Sequence, residues 1–204
     1  RYAETLVLKI YSPIWIPHIK EFCGALLQTN PSERLIIRFS RSLKKQSEFL
    51  YGLYDGMTLS GHPSEDLLLF RENGLTFECD PIHGQKTGFF LDQRENRARV
   101  EKLSKGKSVL NVFSYTGGFS VYAARGGAKQ VVSVDISAPA IQAANNNFSH
   151  NCQLPTVKSA MHEAITGDAF EILARMESQK RIFDLVVIDP PMFANNQSQI
   201  AAGL

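Results

Sequence analysis

The 204-residue sequence has no long apolar run, few cysteines and almost no net charge. None of its apolar runs approaches the ~20 residues that a helix needs to cross a bilayer. The segment that begins at Arg1 lacks the basic and apolar regions of a signal peptide. We therefore expect a cytoplasmic protein that does not enter a membrane. Apolar residues make up 44% and charged residues 21% of the chain, which indicates an ordinary globular protein and neither disorder nor a coiled coil.

The cysteines and the charges give weaker indications. Cys23, Cys79 and Cys152 are far apart and odd in number, which favours reduced thiols over a disulfide framework or a zinc site, and we predict no metal. The net charge of +2 is too small to indicate nucleic-acid binding by itself. Basic residues do cluster in two places, which are either solvated faces or phosphate contacts: Arg34, Arg38, Arg41, Lys44 and Lys45, and Arg94, Arg97, Arg99, Lys102, Lys105 and Lys107.

The stretch from residue 111 to residue 120 organises the chain. An apolar run over residues 108–113 ends at a Ser-Tyr-Thr-Gly-Gly turn, and a helix-compatible run follows over residues 119–125. Gly117 and Gly118 allow positive φ angles and a close approach of a ligand to the backbone. The free N–H groups of the following helix favour a polar or anionic ligand group. The pattern predicts a cofactor-binding turn, and an ordinary connection between a strand and a helix is the alternative.

The second half of the chain alternates strands and helices. Apolar strands are predicted over residues 108–113, 130–135, 162–166 and 183–188, with helices over residues 118–125, 137–150 and 169–177 between them. This alternation predicts a parallel sheet that helices cover on both faces, with a ligand at the carboxyl ends of the strands. We expect the residues after those strands to line one crevice: residues 114–118, Asp135, Gly167, Asp168, Asp189, Pro190 and Pro191.

The first part of the chain has a different pattern. We predict a strand over residues 5–11, a helix over 12–28, a strand over 34–40, and a hairpin of residues 67–71 and 75–79 joined by Glu72-Asn73-Gly74. These elements predict a small α+β domain over residues 1–82, and Asp80-Pro81 marks the boundary to a second domain over residues 83–204. The polar segment over residues 85–94 and the charged helix predicted over residues 95–103 are either a linker with a surface helix or a flap.

The residues after the strands limit the choice of cofactor. The G-x-G-x-x-G spacing of nicotinamide-binding enzymes is missing, which makes a dehydrogenase the weakest interpretation. Asp135 can accept hydrogen bonds from ribose hydroxyls and Asp168 from an adenine amine, although each is also suited to the start of a helix. Pro190 and Pro191 remove two N–H donors after a buried strand, which leaves the Asp189 carboxylate free to orient a flat polar base.

Several motifs together resemble the class I S-adenosylmethionine-dependent methyltransferases, and more narrowly the bacterial 23S ribosomal RNA cytosine-C5 methyltransferases of the large-subunit type. They occupy residues 84–94, 109–119, 132–135, 167–168, 189–191 and 196–199. The resemblance implies an α/β fold with a Rossmann-like parallel sheet, of which the first four strands are present. It assigns residues 83–204 to S-adenosylmethionine binding and residues 1–82 to a domain associated with the RNA substrate.

The resemblance also implies roles for single residues. Residues 114–118 would hold the methionine part of S-adenosylmethionine, Asp135 the ribose and Asp168 the adenine, while Asp189 would border the target base. The implied cofactor-binding set is Lys86, Phe89, Phe90, Gln93, Arg94, Asn111, Phe113, Ser114, Tyr115, Thr116, Gly117, Gly118, Asp135, Ile136, Gly167, Asp168, Ala169 and Asp189. Lys86, Gln93, Arg94 and the aromatic ring of either Phe89 or Phe90 would close over the cofactor. The basic clusters would contact phosphates of an RNA, most simply ribosomal RNA.

The identity of the target base depends on a cysteine nucleophile. Carbon 5 of cytosine is a poor nucleophile, so such enzymes add a cysteine thiolate to the neighbouring ring carbon. In the family that cysteine follows the Asp-Pro-Pro motif, and none of the three cysteines occupies the position, so we expect this chain to stop before the last strands and the nucleophile. Two alternatives stay open: methylation of guanine or an amine by the same fold, and a non-catalytic RNA-binding module. The oligomeric state does not follow from the sequence, although an exposed edge of the fourth strand would allow pairing with another chain.

Overall fold

A computed structural model of the chain describes residues 1–46, 50–63 and 67–190. The chain divides into two compact units, Arg1–Leu91 and Asp92–Leu204. Pro191 of the Asp-Pro-Pro motif and the motif over residues 196–199 lie outside the described residues. The domain roles predicted for residues 1–82 and 83–204 stay predictions.

The first unit contains a mixed sheet and a hairpin. Its elements are β1 (Thr5–Ile10), a 3-10 helix (Pro13–His18), α1 (Ile19–Thr29), β2 (Arg34–Phe39), α2 (Arg41–Lys44), β3 (Thr58–Ser60), β4 (Leu68–Glu72) and β5 (Leu75–Cys79). β1 pairs with β2 in parallel, β3 pairs with β2 antiparallel, and β4 and β5 form the predicted hairpin. The helix predicted over residues 12–28 is divided in two, because Pro17 has no N–H to continue an α-helical ladder and the first turns are 3-10.

Two apolar clusters stabilise this unit. Ile10, Ile37 and Phe39 of the parallel strands pack with Ile16, Leu43 and Leu50. The second cluster is aromatic: the ring of Phe89 lies 5.0 Å from that of Phe70 and 5.1 Å from that of Phe77, measured between centroids. Because Phe89 is only 3% exposed, its ring belongs to the core of the unit.

The second unit is an α/β layer structure. Its elements are α3 (Arg94–Leu103), β6 (Ser108–Val112), α4 (Gly118–Arg125), β7 (Gln130–Asp135), α5 (Ala138–His150), α6 (Pro155–Ser159), β8 (Met161–Thr166), α7 (Ala169–Ser178) and β9 (Leu185–Ile188), and a 3-10 turn (Leu91–Gln93) precedes α3. The four strands are parallel and lie in the order β8-β7-β6-β9. This order and direction confirm the predicted Rossmann-like sheet.

The sheet is buried at its centre and more exposed in its two edge strands, β8 and β9. Val109 and Val112 of β6 and Val131 and Val134 of β7 have no exposed surface, as expected for strands covered on both faces. β9 departs from the prediction, because every second side chain of this strand is exposed. In the described part of the chain β9 pairs with β6 alone, so it has the half-covered character of an edge strand. Across residues 1–46, 50–63 and 67–190, no helix has the length and apolarity to span a membrane.

Candidate cofactor site

The candidate site lies at the carboxyl ends of the parallel strands. From β6 the sheet continues to β7 and β8 on one side, and β9 then pairs with β6 on the other side. The strand order therefore reverses between β6 and β9, and the connections after these two strands start at that point. Ligands of open α/β sheets bind in the crevice that such a reversal creates. The loop over residues 113–117 starts at this point.

The backbone of this loop has an unusual conformation. The φ angles of Phe113, Tyr115 and Gly117 are 60°, 47° and 72°. Positive φ angles are uncommon for residues other than glycine and gather at functional sites, where the surrounding structure maintains them. The N–H of Ser114 donates to the carbonyl of Val134 at 2.9 Å, and the N–H of Gly117 donates to the carbonyl of Ser114 at 2.9 Å. The loop is therefore held in a fixed and strained form.

Two side chains from β7 and α5 fasten the loop. Asp135 accepts from the N–H of Tyr115 at 2.8 Å through one carboxylate oxygen and from the N–H of Ser137 at 2.9 Å through the other. The buried amide of Asn147 donates to the carbonyl of Thr116 at 2.8 Å. Each carboxylate oxygen has two lone pairs, so Asp135 retains capacity for two ribose hydroxyls while it anchors the loop and the start of α5. The two roles that the sequence left open for Asp135 are thus compatible.

Ser114 carries a polar atom that the folded chain leaves unpaired. Its Oγ is buried and has no hydrogen-bond partner, and it is the one buried side-chain oxygen or nitrogen in that state among the described residues. Buried hydroxyls without partners are rare because each costs free energy, and they need a specific explanation. A polar ligand group at this loop would supply the partner, so the loop fits the charged methionine part of S-adenosylmethionine.

The glycines of the loop serve packing as well as turn geometry. A Cβ at Gly117 would lie 2.8 Å from the Cβ of Ala144 on α5, and its φ of 72° favours glycine in any case. Gly118, by contrast, does not have a positive φ and begins α4. The close approach at Gly117 is therefore to a helix of the protein itself, which differs from the approach to a ligand that the sequence indicated.

Asp168 caps the helix that follows β8. One oxygen of its carboxylate accepts from the N–H groups of Phe170 at 2.9 Å and Glu171 at 3.2 Å. The N–H of Gly167 donates to the carbonyl of Asp135 at 3.0 Å and ties the ends of β7 and β8 together. The helix-cap role that the sequence left open for Asp168 is present in the structure, and its contact with adenine stays a prediction.

Exposed apolar side chains lie beside these two aspartates. Ile136 is 72% exposed and Phe170 is 67% exposed, each at the start of the segment that follows a strand. Ala169 is buried in the cluster of β6, β7 and α7, so its side chain serves the core. Phe170 was not among the predicted site residues. The available signal was an aromatic residue directly after Gly167-Asp168-Ala169, at the first turn of a helix.

The structure brings together two predicted site residues that are far apart in sequence. The Gln93 side-chain amide donates to a carboxylate oxygen of Asp189 at 3.2 Å. The amide of Asn96 donates to Gln93 at 2.7 Å and fixes its orientation. Arg94 is not part of this group, since its guanidinium donates to Glu95 at 3.2 Å. Asp189 is thus oriented from α3 and its preceding turn.

The remaining predicted residues have core or first-unit positions. The buried Asn111 amide donates to the Ser120 hydroxyl at 2.9 Å, so it holds α4 against β6. The side chain of Phe113 packs against the apolar cluster of the sheet. In the first unit, the ammonium of Lys86 lies 4.3 Å from the centroid of the Phe90 ring. Of the two rings proposed for the flap, Phe90 is the less buried, since Phe89 fills the aromatic core.

The three cysteines are divided between the two units. Burial raises the pKa of Cys79 to about 12, with Asp80 as a smaller cause, and burial also raises the pKa of Cys23. Both belong to the first unit. Cys152 follows α5, which runs back from the carboxyl end of β7, so it lies toward the amino ends of the strands.

Comparison with known proteins places the chain in a class. The family of S-adenosylmethionine-dependent methyltransferases matches residues 46–202. This match covers most of the sequence, and the chain belongs to that family. S-adenosylmethionine is accordingly the cofactor of its class.

Two curated methyltransferases are similar to nearly the whole of this chain. A ribosomal RNA large subunit methyltransferase of Deinococcus radiodurans is 45% identical over 199 residues, which are 98% of this chain and 48% of the relative. The ribosomal RNA large subunit methyltransferase I of Pseudoalteromonas translucida is 38% identical over 203 residues, which are 98% of this chain and 49% of the relative. The chain therefore spans about half the length of the curated relatives it matches.

A solved structure has the same fold. SMU.776, a methyltransferase in complex with SAH, superposes with a TM-score of 0.78 at 28% identity. The similarity covers 96% of this chain and 48% of that protein.

Proposed function

We propose that this chain binds S-adenosylmethionine at the carboxyl edge of β6 to β9, and that the whole protein methylates carbon 5 of a cytosine in large-subunit ribosomal RNA. The observation that carries the cofactor site is the buried, unpaired hydroxyl of Ser114 in a strained loop at the reversal of strand order. The names of the Deinococcus and Pseudoalteromonas relatives support ribosomal RNA as the substrate.

In this proposal the residues around the loop share the binding of the cofactor. Ser114 and the loop backbone hold the methionine part, and Asp135 accepts from the ribose hydroxyls while it anchors Tyr115. Ile136 and Phe170 offer exposed apolar surface to the flat adenine ring, and Asp168 accepts from the adenine amine. When bound, S-adenosylmethionine supplies an electrophilic methyl group.

The target base is assigned to the region of Asp189. Gln93 holds this carboxylate at 3.2 Å, so one of its oxygens has a fixed direction at the end of β9. A carboxylate accepts from an exocyclic amine, and cytosine presents one. Methylation at carbon 5 requires a thiolate that adds to the neighbouring ring carbon, and Cys152, the cysteine of this unit, lies toward the amino ends of the strands.

Titration calorimetry tests the cofactor site. S-adenosylmethionine should bind the chain saturably, and nicotinamide adenine dinucleotide should not bind. Asp135→Asn should weaken binding more than Asn147→Ala, because only the former changes a group that contacts the ribose while both loosen the loop. Equal affinities of the unsubstituted chain and Asp135→Asn for S-adenosylmethionine would contradict the ribose role.

Nucleoside analysis tests the substrate. The whole protein should transfer a radioactive methyl group to unmodified 23S ribosomal RNA and produce 5-methylcytidine on digestion. Asp189→Asn should reduce the transfer rate by at least tenfold, since it replaces one carboxylate oxygen, an acceptor, with an NH2 group, a donor. Methylguanosine as the product would favour the alternative of guanine methylation, and cofactor binding without any transfer would favour a non-catalytic RNA-binding module.

A further inference from the structure

Four cationic side chains gather in the first unit at the carboxyl ends of β1 and β2. Lys9 and Arg38 are register partners on the two parallel strands. Lys44 ends α2, directly after β2, and Lys86 lies in the segment after the hairpin. We call Lys9, Arg38, Lys44 and Lys86 the cation cluster.

One carboxylate serves two members of the cluster. The Arg38 guanidinium donates to Asp55 at 3.2 Å and also to the carbonyl of Pro81. The Lys44 ammonium lies 2.5 Å from the other oxygen of Asp55. Asp55 accepts from the N–H of Phe39 at 2.6 Å as well, so it is fully used. Among the described residues, Asp55 is the carboxylate that Arg38 and Lys44 share, and its one negative charge does not balance these two cations and Lys9.

Among the described residues, Lys9 has no ion pair of its own with an acidic side chain. Its ammonium donates to the carbonyl of Lys86 at 3.4 Å, which fixes its position but does not balance its charge. Burial, then the charge of Arg38, lower the pKa of Lys9; Lys44 and Lys86 act in the same direction, and Asp55 opposes them. The folded chain thus keeps Lys9 where burial and the neighbouring cations disfavour its charged form, and its place beside Arg38 and Tyr11 indicates a use beyond stability.

An exposed aromatic ring lies beside the cluster. Tyr11 follows β1 directly and is 70% exposed, and the Lys9 ammonium is 5.6 Å from its ring centroid. Single-stranded nucleic acids are bound where cations follow the phosphate backbone and exposed rings stack on the bases. An acidic peptide would need the cations but would gain little from the ring.

We propose that the cation cluster and Tyr11 form a contact surface for single-stranded RNA, with the phosphate backbone on Lys9 and Lys44 and one base stacked on Tyr11. The surface rests on the proposed function only in taking RNA as the partner. It belongs to the first unit, whereas the cofactor loop over residues 113–117 belongs to the second.

The first test measures the salt dependence of RNA binding. Fluorescence anisotropy with a short labelled oligocytidine RNA gives the association constant at several salt concentrations. Lys9→Gln and Lys44→Gln should each reduce the slope of log K against log salt by about 0.7, the value for one phosphate contact on a single strand. Lys20→Gln, an exposed lysine of α1 in the same unit, is the matched control and should leave the slope unchanged. Equal slopes in all four proteins, or an equal reduction in Lys20→Gln, would overturn the proposal.

The second test separates RNA from other polyanions. Tyr11→Ala should weaken binding of the oligocytidine by roughly 5- to 150-fold, whereas Tyr11→Phe keeps the ring and should retain affinity. Polyglutamate replaces the RNA in a parallel titration. If polyglutamate competes as well as RNA and Tyr11→Ala has no effect, the surface is a general polyanion site and the proposal is wrong.

Two controls keep this test independent of the cofactor site. Lys9→Gln should unfold in urea at a midpoint no lower than that of the unsubstituted chain, because it removes a repelled charge; a large decrease would assign Lys9 a structural role instead. S-adenosylmethionine titrations of Lys9→Gln and Lys44→Gln should match the unsubstituted chain. If RNA binding depends on the cation cluster but the chain does not bind S-adenosylmethionine, only the cofactor proposal is refuted. If the chain binds S-adenosylmethionine but its RNA binding does not depend on the cluster, only the RNA surface is refuted.

Discussion

Ser114→Ala should make the chain more stable and its binding of S-adenosylmethionine weaker. The Ser114 hydroxyl is buried without a partner, so folding removes its hydrogen bonds to water and the protein supplies none in their place. A buried unsatisfied group costs about 1–3 kcal/mol, and its removal should raise the free energy of unfolding by about 1 kcal/mol after the loss of some packing. If the hydroxyl bonds a charged group of the cofactor, its loss costs about 1.5–3 kcal/mol of binding, or roughly 10- to 150-fold in affinity.

Urea unfolding and titration calorimetry measure the two effects on the same protein. Ser120→Ala is the matched control, because Ser120 is also a buried serine of this unit but its hydroxyl bonds Asn111 at 2.9 Å and Ser133 at 2.7 Å. That substitution should lower stability by about 1–3 kcal/mol and leave affinity nearly unchanged. A loss of stability in Ser114→Ala like that in Ser120→Ala, or an unchanged affinity for the cofactor, would refute the assignment of Ser114 to the ligand.

Three further predictions concern residues of the second unit, in or directly after its parallel strands. Gly117→Ala should lower the free energy of unfolding by about 2–4 kcal/mol in urea titrations, because a Cβ there is strained at φ 72° and lies 2.8 Å from Ala144; adding Ala144→Gly should restore only the part due to the clash. Burial lowers the pKa of His162 to about 4 from 6.5, so the stability contributed by its neutral ring should be complete above pH 6.5 and lost as the pH falls toward 4, by about 3 kcal/mol at most. His162→Gln should flatten that pH profile, and an unchanged profile would contradict it. Asp168→Asn should keep the helix cap and change stability by less than about 0.5 kcal/mol, while calorimetry should show weaker cofactor binding; Asp168→Ala should lose about 1 kcal/mol of stability as well.

The order of strands and helices in the second unit could be predicted because it depends on local patterns. Apolar runs mark β6 and β7, Ser137 caps α5 through its hydroxyl at 3.3 Å from the N–H of Ala140, and Gly127 takes the left-handed conformation after α4. Short elements such as α6 (Pro155–Ser159) and β3 (Thr58–Ser60) were missed, since they contain too few residues for a period to show.

The roles of individual side chains depended on contacts over long separations in sequence. Phe89 resembled a flap residue in sequence, but its ring lies in the core formed with Phe70 and Phe77. The bond between Gln93 and Asp189 joins residues 96 positions apart, so no local pattern predicts it.

The sequence by itself determined the class of fold and the cofactor of the family, because strand periodicity, glycine turns and the residues that end strands are encoded locally. Only the tertiary structure decided that Asp135 anchors the loop, that Gly117 accommodates α5, and that the Ser114 hydroxyl is buried without a partner. Such properties arise from the packing of distant segments, where burial and hydrogen-bond geometry are fixed together. The same holds for the cation cluster, since the fold of the first unit brings Lys9, Arg38, Lys44 and Lys86 to one place.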